Sequence, residues 1–139
     1  MTYFHDMAKL VASRSKDTST KVGCVIVSSD KVLLSTGYNG IARRVADLPE
    51  RLERPAKYLW TSHAEENAIA QAAREGIALN RGVAVVTHMP CSRCARMLIQ
   101  AGITMVCVGS GTTSMPEEEF ATADAMFEEA CVQVVRGEP

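Results

Sequence analysis

A histidine and a carboxylate stand two positions apart in Thr61-Ser62-His63-Ala64-Glu65-Glu66-Asn67-Ala68-Ile69, and two thiols follow in Pro90-Cys91-Ser92-Arg93-Cys94. Imidazole and thiolate are the ligands zinc prefers, and a catalytic zinc takes three of them and keeps a fourth position for water. His63, Cys91 and Cys94 make such a set. Glu65 lies close enough to reach a metal-bound water without itself being a ligand. Metal and carboxylate together imply hydrolysis: the ion acidifies water and the carboxylate moves the protons. The plainer alternative is a core histidine beside two buried thiols, and it gives Glu65 nothing to do.

Both segments open apolar patterns of helical spacing, which puts the candidate ligands at helix N-termini. There the helix dipole and free N–H groups favour thiolate over thiol. One helix is expected from His63 to about Glu75, with Gly76 as its stop, and another over 91–100, stopped by Gly102. Phe4, Met7, Leu10 and Val11 predict a first helix over 3–14. Strands are expected at 22–27 and 32–36, as an antiparallel hairpin, and at 83–87, 103–108 and 131–135. Residues 109–114 read as a flexible loop, 115–130 as an acidic amphipathic helix with Pro116 in its first turn, and 137–139 as a tail. The stretch 41–60, broken by Pro49 and Pro55, is the least regular. Alternation of strand and helix after residue 60 implies parallel strands with helices packed on the sheet.

The chain has 139 residues and nearly half are hydrophobic, enough for one domain with a core, taken as 1–139. Lys and Arg total 15 against 16 Asp and Glu. That balance argues against a partner that is a nucleic-acid polymer but leaves room for a single nucleotide. No apolar run is long enough for a membrane span, and Met1-Thr2-Tyr3-Phe4-His5-Asp6 lacks a signal-peptide pattern. Of the five cysteines, Cys24, Cys107 and Cys131 sit in apolar runs and read as small buried hydrophobes. A reducing, cytoplasmic location is expected.

The two chemical segments combine as H-x-E…P-C-x-x-C, the signature of zinc-dependent nucleobase deaminases. With Arg14-Ser15-Lys16-Asp17-Thr18-Ser19-Thr20-Lys21-Val22-Gly23, Gly37-Tyr38-Asn39-Gly40 and Gln100-Ala101-Gly102-Ile103, the chain resembles the deoxycytidylate deaminase family. The resemblance covers most of residues 3–108. It implies an α/β fold, three-layer α/β/α with a five-stranded mixed sheet, cytidine deaminase-like, and a homo-oligomer (dimer to hexamer). It implies one catalytic Zn2+ per chain and hydrolytic deamination of dCMP to dUMP and ammonia, feeding dTMP synthesis. Glu65 would carry the proton to N3 of cytosine and then to the leaving amine. Ala64 and the backbone around Met89-Pro90 would contact the base.

Asn39 is either a turn residue or, as the resemblance implies, an amide bonding the sugar or orienting the base. Ser15, Lys16, Asp17 and Thr18 are either a polar loop ending a helix or a pocket for a 5′-phosphate, with Lys21 and Arg14 as weaker candidates. The basic residues of 41–60, Arg43 and Arg44 foremost, are either solvated or an effector site for dCTP or dTTP with Mg2+. That stretch holds no Cys or His for a second zinc. In two places the chain departs from many relatives. Ser62 precedes the metal histidine where they carry Cys, and 109–114 has no aromatic residue to stack on the base, a role that Trp60 could fill. The rival readings are a deaminase of the same fold acting on a 5-substituted dCMP, a free nucleoside or another nucleobase; an RNA or DNA editor; and a non-catalytic, zinc-stabilised binding module.

Overall fold

The computed structural model describes residues 1–137, so Glu138 and Pro139 of the expected tail lie outside it. Helix α1 (Thr2–Ala12) leads into β1 (Gly23–Val27) and β2 (Leu33–Tyr38), paired as the expected antiparallel hairpin. After the 41–60 stretch come α3 (Ala64–Glu75), β5 (Val83–His88), α4 (Ser92–Gln100), β6 (Met105–Gly111), α5 (Glu117–Glu129) and β7 (Gln133–Arg136). Within that stretch the structure finds order where irregularity is expected. Two-residue strands β3 (Gly40–Ile41) and β4 (Thr61–Ser62) pair antiparallel and bracket a short turn of 3-10 helix at Pro49–Leu52 and helix α2 (Lys57–Trp60).

The five-stranded sheet has the order β2-β1-β5-β6-β7. β5, β6 and β7 run parallel, and β1 pairs antiparallel with both β2 and β5, so the sheet is mixed as expected. Alternation along β1 sorts its side chains to two faces. Cys24 and Ile26 pack with Ala64, Ala68, Leu98 and Phe127 beneath α3, α4 and α5. Val25 and Val27 pack with Phe4 and Ala8 under α1. The result is helix, sheet and helix in three layers. No helix among the described residues is long and apolar enough to cross a membrane.

One glycine sets how closely the main site helix sits. A Cβ on Gly37 would lie 2.3 Å from both Ala64 O and Ala68 N, backbone atoms of α3. Only glycine lets α3 lie this flat on β2. Ser35, two residues earlier on the same strand, donates its hydroxyl to Ala68 O at 2.7 Å and fixes the same contact.

Three local expectations need correction. β6 begins at Met105 and continues to Gly111, because Gly111 pairs with His88 across an irregularity in register. The loop therefore starts only at Thr112. Cys131 is exposed in a left-handed turn at φ 58°, not buried in a strand, while Cys24 and Cys107 are buried as expected. Lys57, expected in a solvated loop, is 8% exposed.

Candidate active site

His63 is the N-cap of α3 and Cys91 the N-cap of α4. Extended backbone at each cap turns the side chain across the start of its helix, and α3 and α4 lie side by side on the sheet, so the two caps meet. His63 Nδ1 lies 3.5 Å from Cys91 Sγ and 3.3 Å from Cys94 Sγ. All three ligand atoms fall within 4.8 Å of one another. Zinc bonds of about 2.0 Å to nitrogen and 2.3 Å to sulfur at tetrahedral angles require an N···S edge of about 3.5 Å. The donor set fits zinc in both chemistry and spacing.

The two halves of this cluster are tied by side chains outside it. Glu66 Oε1 accepts the His63 backbone N–H at 2.9 Å and pairs with Arg93 Nη2 at 3.1 Å, joining the start of α3 to one of the two residues between the cysteines. Ser92 donates both its N–H and its hydroxyl to Glu119 of α5, at 3.1 and 2.7 Å. His88, three residues before Cys91, could complete a four-ligand set on spacing alone. The structure keeps it out of the cluster: its Nδ1 is 2.6 Å from Thr87 Oγ1 and its ring lies against Gly111, where a Cβ would be 2.5 Å away.

Between the sulfurs, the hydrogen bond from Cys94 holds Cys91 as a thiolate with its pKa lowered to about 4, helped by His63. The same bond pushes Cys94 up, since Cys94 keeps the proton. His63 is raised, chiefly by its bond to Cys91. A divalent cation takes the place of such shared protons. Glu65 is 4% exposed, and burial pushes its carboxyl up to about 7.

His63, Glu65, Ala64 and Cys91 line one side of a cavity of about 310 Å³. Asn39 and Asp17 also reach it. Both amide ends of Asn39 are engaged in the wall: Oδ1 accepts from Val22 N–H and Nδ2 donates to Thr20 O, each at 2.9 Å. That leaves one N–H of the amide for a ligand.

The other expected substrate residues are not brought to the cavity. Ser15 is buried and donates to Asn39 O at 2.8 Å. Lys16 is exposed on the surface, paired with Asp47. Thr18 is exposed outside the lining, and Pro90 is buried behind it, with Met89 in its place. Trp60 is not part of the lining and carries the Arg51 guanidinium 3.8 Å over its ring. Arg43 hydrogen-bonds Gln71 of α3, and Arg44 occupies a left-handed turn at φ 69°.

Residues with no motif to announce them take the vacated places. Arg54, Lys57 and Tyr58 come from around α2, and Thr113, Ser114 and Met115 from the loop after β6. Lys57 Nζ binds Asp17 Oδ2 and Ser19 Oγ, each at 3.0 Å. Burial alone would raise the Asp17 carboxyl, but bonds from Thr20 N–H, Lys57 and Ser19 outweigh it and hold the pKa at about 2. A depressed carboxylate stabilises the fold above its unfolded pKa, near 3.9, and that contribution fades as pH falls towards about 2. Asp17→Asn should cost about 2–4 kcal/mol at pH 7, since it also strands a buried ammonium. The gap to wild type should close between about pH 4 and pH 2. Urea melts of both proteins along that series test this, and a gap that stays constant down to pH 2 would refute it.

Residues 1–110 match the family model described as the cytidine and deoxycytidylate deaminase zinc-binding region. The "uncharacterized deaminase in luxG 3′ region" of Aliivibrio fischeri is 42% identical over 134 residues, 94% of this chain and 88% of that one. The human deoxycytidylate deaminase is 38% identical over 111 residues, 75% of this chain. The chain spans 61% of the human protein's length. In fold it is similar to the dCMP deaminase of cyanophage S-TIM5, solved with dCMP and dUMP, at a TM-score of 0.78 and 22% identity, covering 97% of this chain and 94% of that one.

Proposed function

We propose, since this chain belongs to the cytidine and deoxycytidylate deaminase family, that it is a zinc-dependent hydrolase converting dCMP to dUMP and ammonia. The observation that carries this reading is Glu65: a carboxyl buried at the start of α3, two residues from His63, whose pKa burial raises to about 7. Zinc held by His63, Cys91 and Cys94 would supply the Lewis acidity that makes water a nucleophile at that pH.

Glu65 accepts a proton from the water that attacks C4 of cytosine and delivers it to N3. It then takes the remaining proton from the hydroxyl now on C4 and passes it to the exocyclic amine, so that the C4–N bond breaks, ammonia leaves and the oxygen stays on C4 as the carbonyl. One carboxyl can serve both transfers because it returns to its charged form after each proton it delivers. Met89 and Met115 offer apolar surface to the base, and Asn39, which lines the cavity with one amide N–H left over, would be a donor for the sugar. Exclusion of water from this floor strengthens every charge interaction made there.

The reading extends to the whole chain as one domain, to a cytoplasmic setting where dUMP feeds dTMP synthesis, and to a homo-oligomer between dimer and hexamer. It extends also to control by dCTP or dTTP, with Mg2+, on the surface that carries Arg43 and Arg44. Ammonia release across dCMP, CMP, deoxycytidine, dCTP and 5-methyl-dCMP tests the core of it. Deoxycytidylate should be the best substrate; release from none of the five would sink the reading.

A further inference from the structure

Discrimination between a nucleotide and its nucleoside has to come from groups away from the metal, since the base presented to Glu65 is the same. Among the described residues, the cations that line the cavity are Arg54 and Lys57. Lys57 is buried and already spent on Asp17. Arg54 is different in three respects. It is exposed at the rim of the cavity, whereas Glu65, Cys91 and Lys57 are buried. It makes no ion pair among the described residues. And it is held by two neutral hydroxyls from two separate segments: Nε donates to Tyr58 Oη at 2.8 Å, and Nη2 reaches Ser114 Oγ at 3.5 Å.

The direction of these bonds matters. In each the hydroxyl oxygen accepts from the guanidinium, which leaves the hydroxyl's own hydrogen to be donated elsewhere. A guanidinium has five N–H donors, and two are used here. Three N–H groups and two O–H groups are therefore left unused at the rim, around a positive charge with no carboxylate partner among the described residues. Such a set matches a tetrahedral oxyanion, which brings several acceptors and two negative charges, and planar guanidinium is the side chain best shaped to grip it.

We infer that Arg54, with Tyr58 and Ser114, is the phosphate clamp of this site, in place of the Ser15-Lys16-Thr18 segment. The inference rests on the reading of the cavity as a nucleotide site. Phosphate binding at the rim would also tie the α2 segment to the loop after β6 and close the cavity over the base, so part of the effect should appear in kcat.

Two measurements separate the clamp from the activity. The first is calorimetric binding of dUMP and deoxyuridine to wild type, Arg54→Ala, Arg54→Lys and Lys16→Ala, with thermal melts to show each variant folded. The second is kcat/KM for dCMP and deoxycytidine on the same proteins. Wild type should prefer the phosphorylated ligand at least 100-fold. A charge-assisted pair of bonds lost in Arg54→Ala should shrink that preference by about 10- to 100-fold, in binding and in kcat/KM alike. Arg54→Lys should restore part of it, and Lys16→Ala should leave it unchanged. A preference that survives Arg54→Ala, or falls with Lys16→Ala instead, overturns the clamp and leaves the deaminase reading standing. Arg54-dependent binding of dUMP without turnover of dCMP would establish the clamp and overturn the deaminase reading.

Discussion

Glu65→Gln should keep the fold and the metal and lose about 10²–10⁴-fold in kcat, more if the same carboxyl serves every proton transfer. Glutamine fills the same volume and cannot carry a proton, so the variant isolates the chemistry from the packing. It has a second expected effect, of opposite sign. The folded pKa of Glu65 is raised to about 7, well above its unfolded value, so the wild-type carboxyl costs stability as pH rises through that interval. In metal-free protein at pH 7 the variant should be more stable than wild type by about 1–3 kcal/mol, and the advantage should vanish near pH 4. Elemental analysis, single-turnover rates and urea melts at the two pH values read all three quantities. A variant that holds zinc and keeps a tenth of wild-type kcat would show that Glu65 is not the proton carrier. In the metal-free protein the native carboxyl is thus destabilising at neutral pH, as buried functional groups often are.

Cys94→Ala should abolish metal binding and activity together. Cys94 is fully buried at 0% exposure and supplies one of three ligand atoms, so its loss leaves a histidine and a single thiolate, too few for a tight site. Because the ligands join the starts of α3 and α4, metal binding should also be part of the folding free energy. A strong chelator should lower the Tm of wild type and leave that of Cys94→Ala unmoved. Stoichiometric zinc in the variant would remove Cys94 from the ligand set. The count matters as well: one metal per chain is expected, and two would demand a cluster that the described residues do not offer.

The catalytic floor was legible in the sequence because its residues are close together in the chain and stand at helix caps. His63 and Glu65 are separated by one residue, Cys91 and Cys94 by two, and the starts of α3 and α4 follow from local pattern. Layering was legible for the same reason, since alternation and helical spacing are short-range signals. Strand order was not. β1 meets β5 by pairing Cys24 with Val86, and no local feature of either strand names the other as its partner. The rim escaped for a different reason. β3, α2 and β4 have two, four and two residues, too short for any period to register. Nothing in the sequence says which of the five basic residues of that stretch turns inward. Arg51 goes to Trp60, Arg43 to Gln71, Lys57 to Asp17, and Arg54 to the cavity. Lys16 drew attention by its motif and proved to be a surface partner of Asp47.

The cavity is assembled from two kinds of material. Its floor hangs on helix caps seated on a packed sheet, where Gly37 allows no slack and a single methyl group would meet backbone. Its rim is built from a four-residue helix and the loop after β6, mostly exposed apart from Lys57, whose buried ion pair with Asp17 anchors the helix. Mutations at the exposed rim positions therefore act on a part of the molecule that can change without unfolding it, while mutations at the floor are filtered by stability first. Chemistry and substrate choice can then drift at different rates in descendants of such a chain. An engineer seeking a new nucleobase or a new phosphate state would graft residues 49–56 and 112–116 as exchangeable cassettes, and leave the ligands, Glu65, Gly37 and the Asp17–Lys57 pair alone.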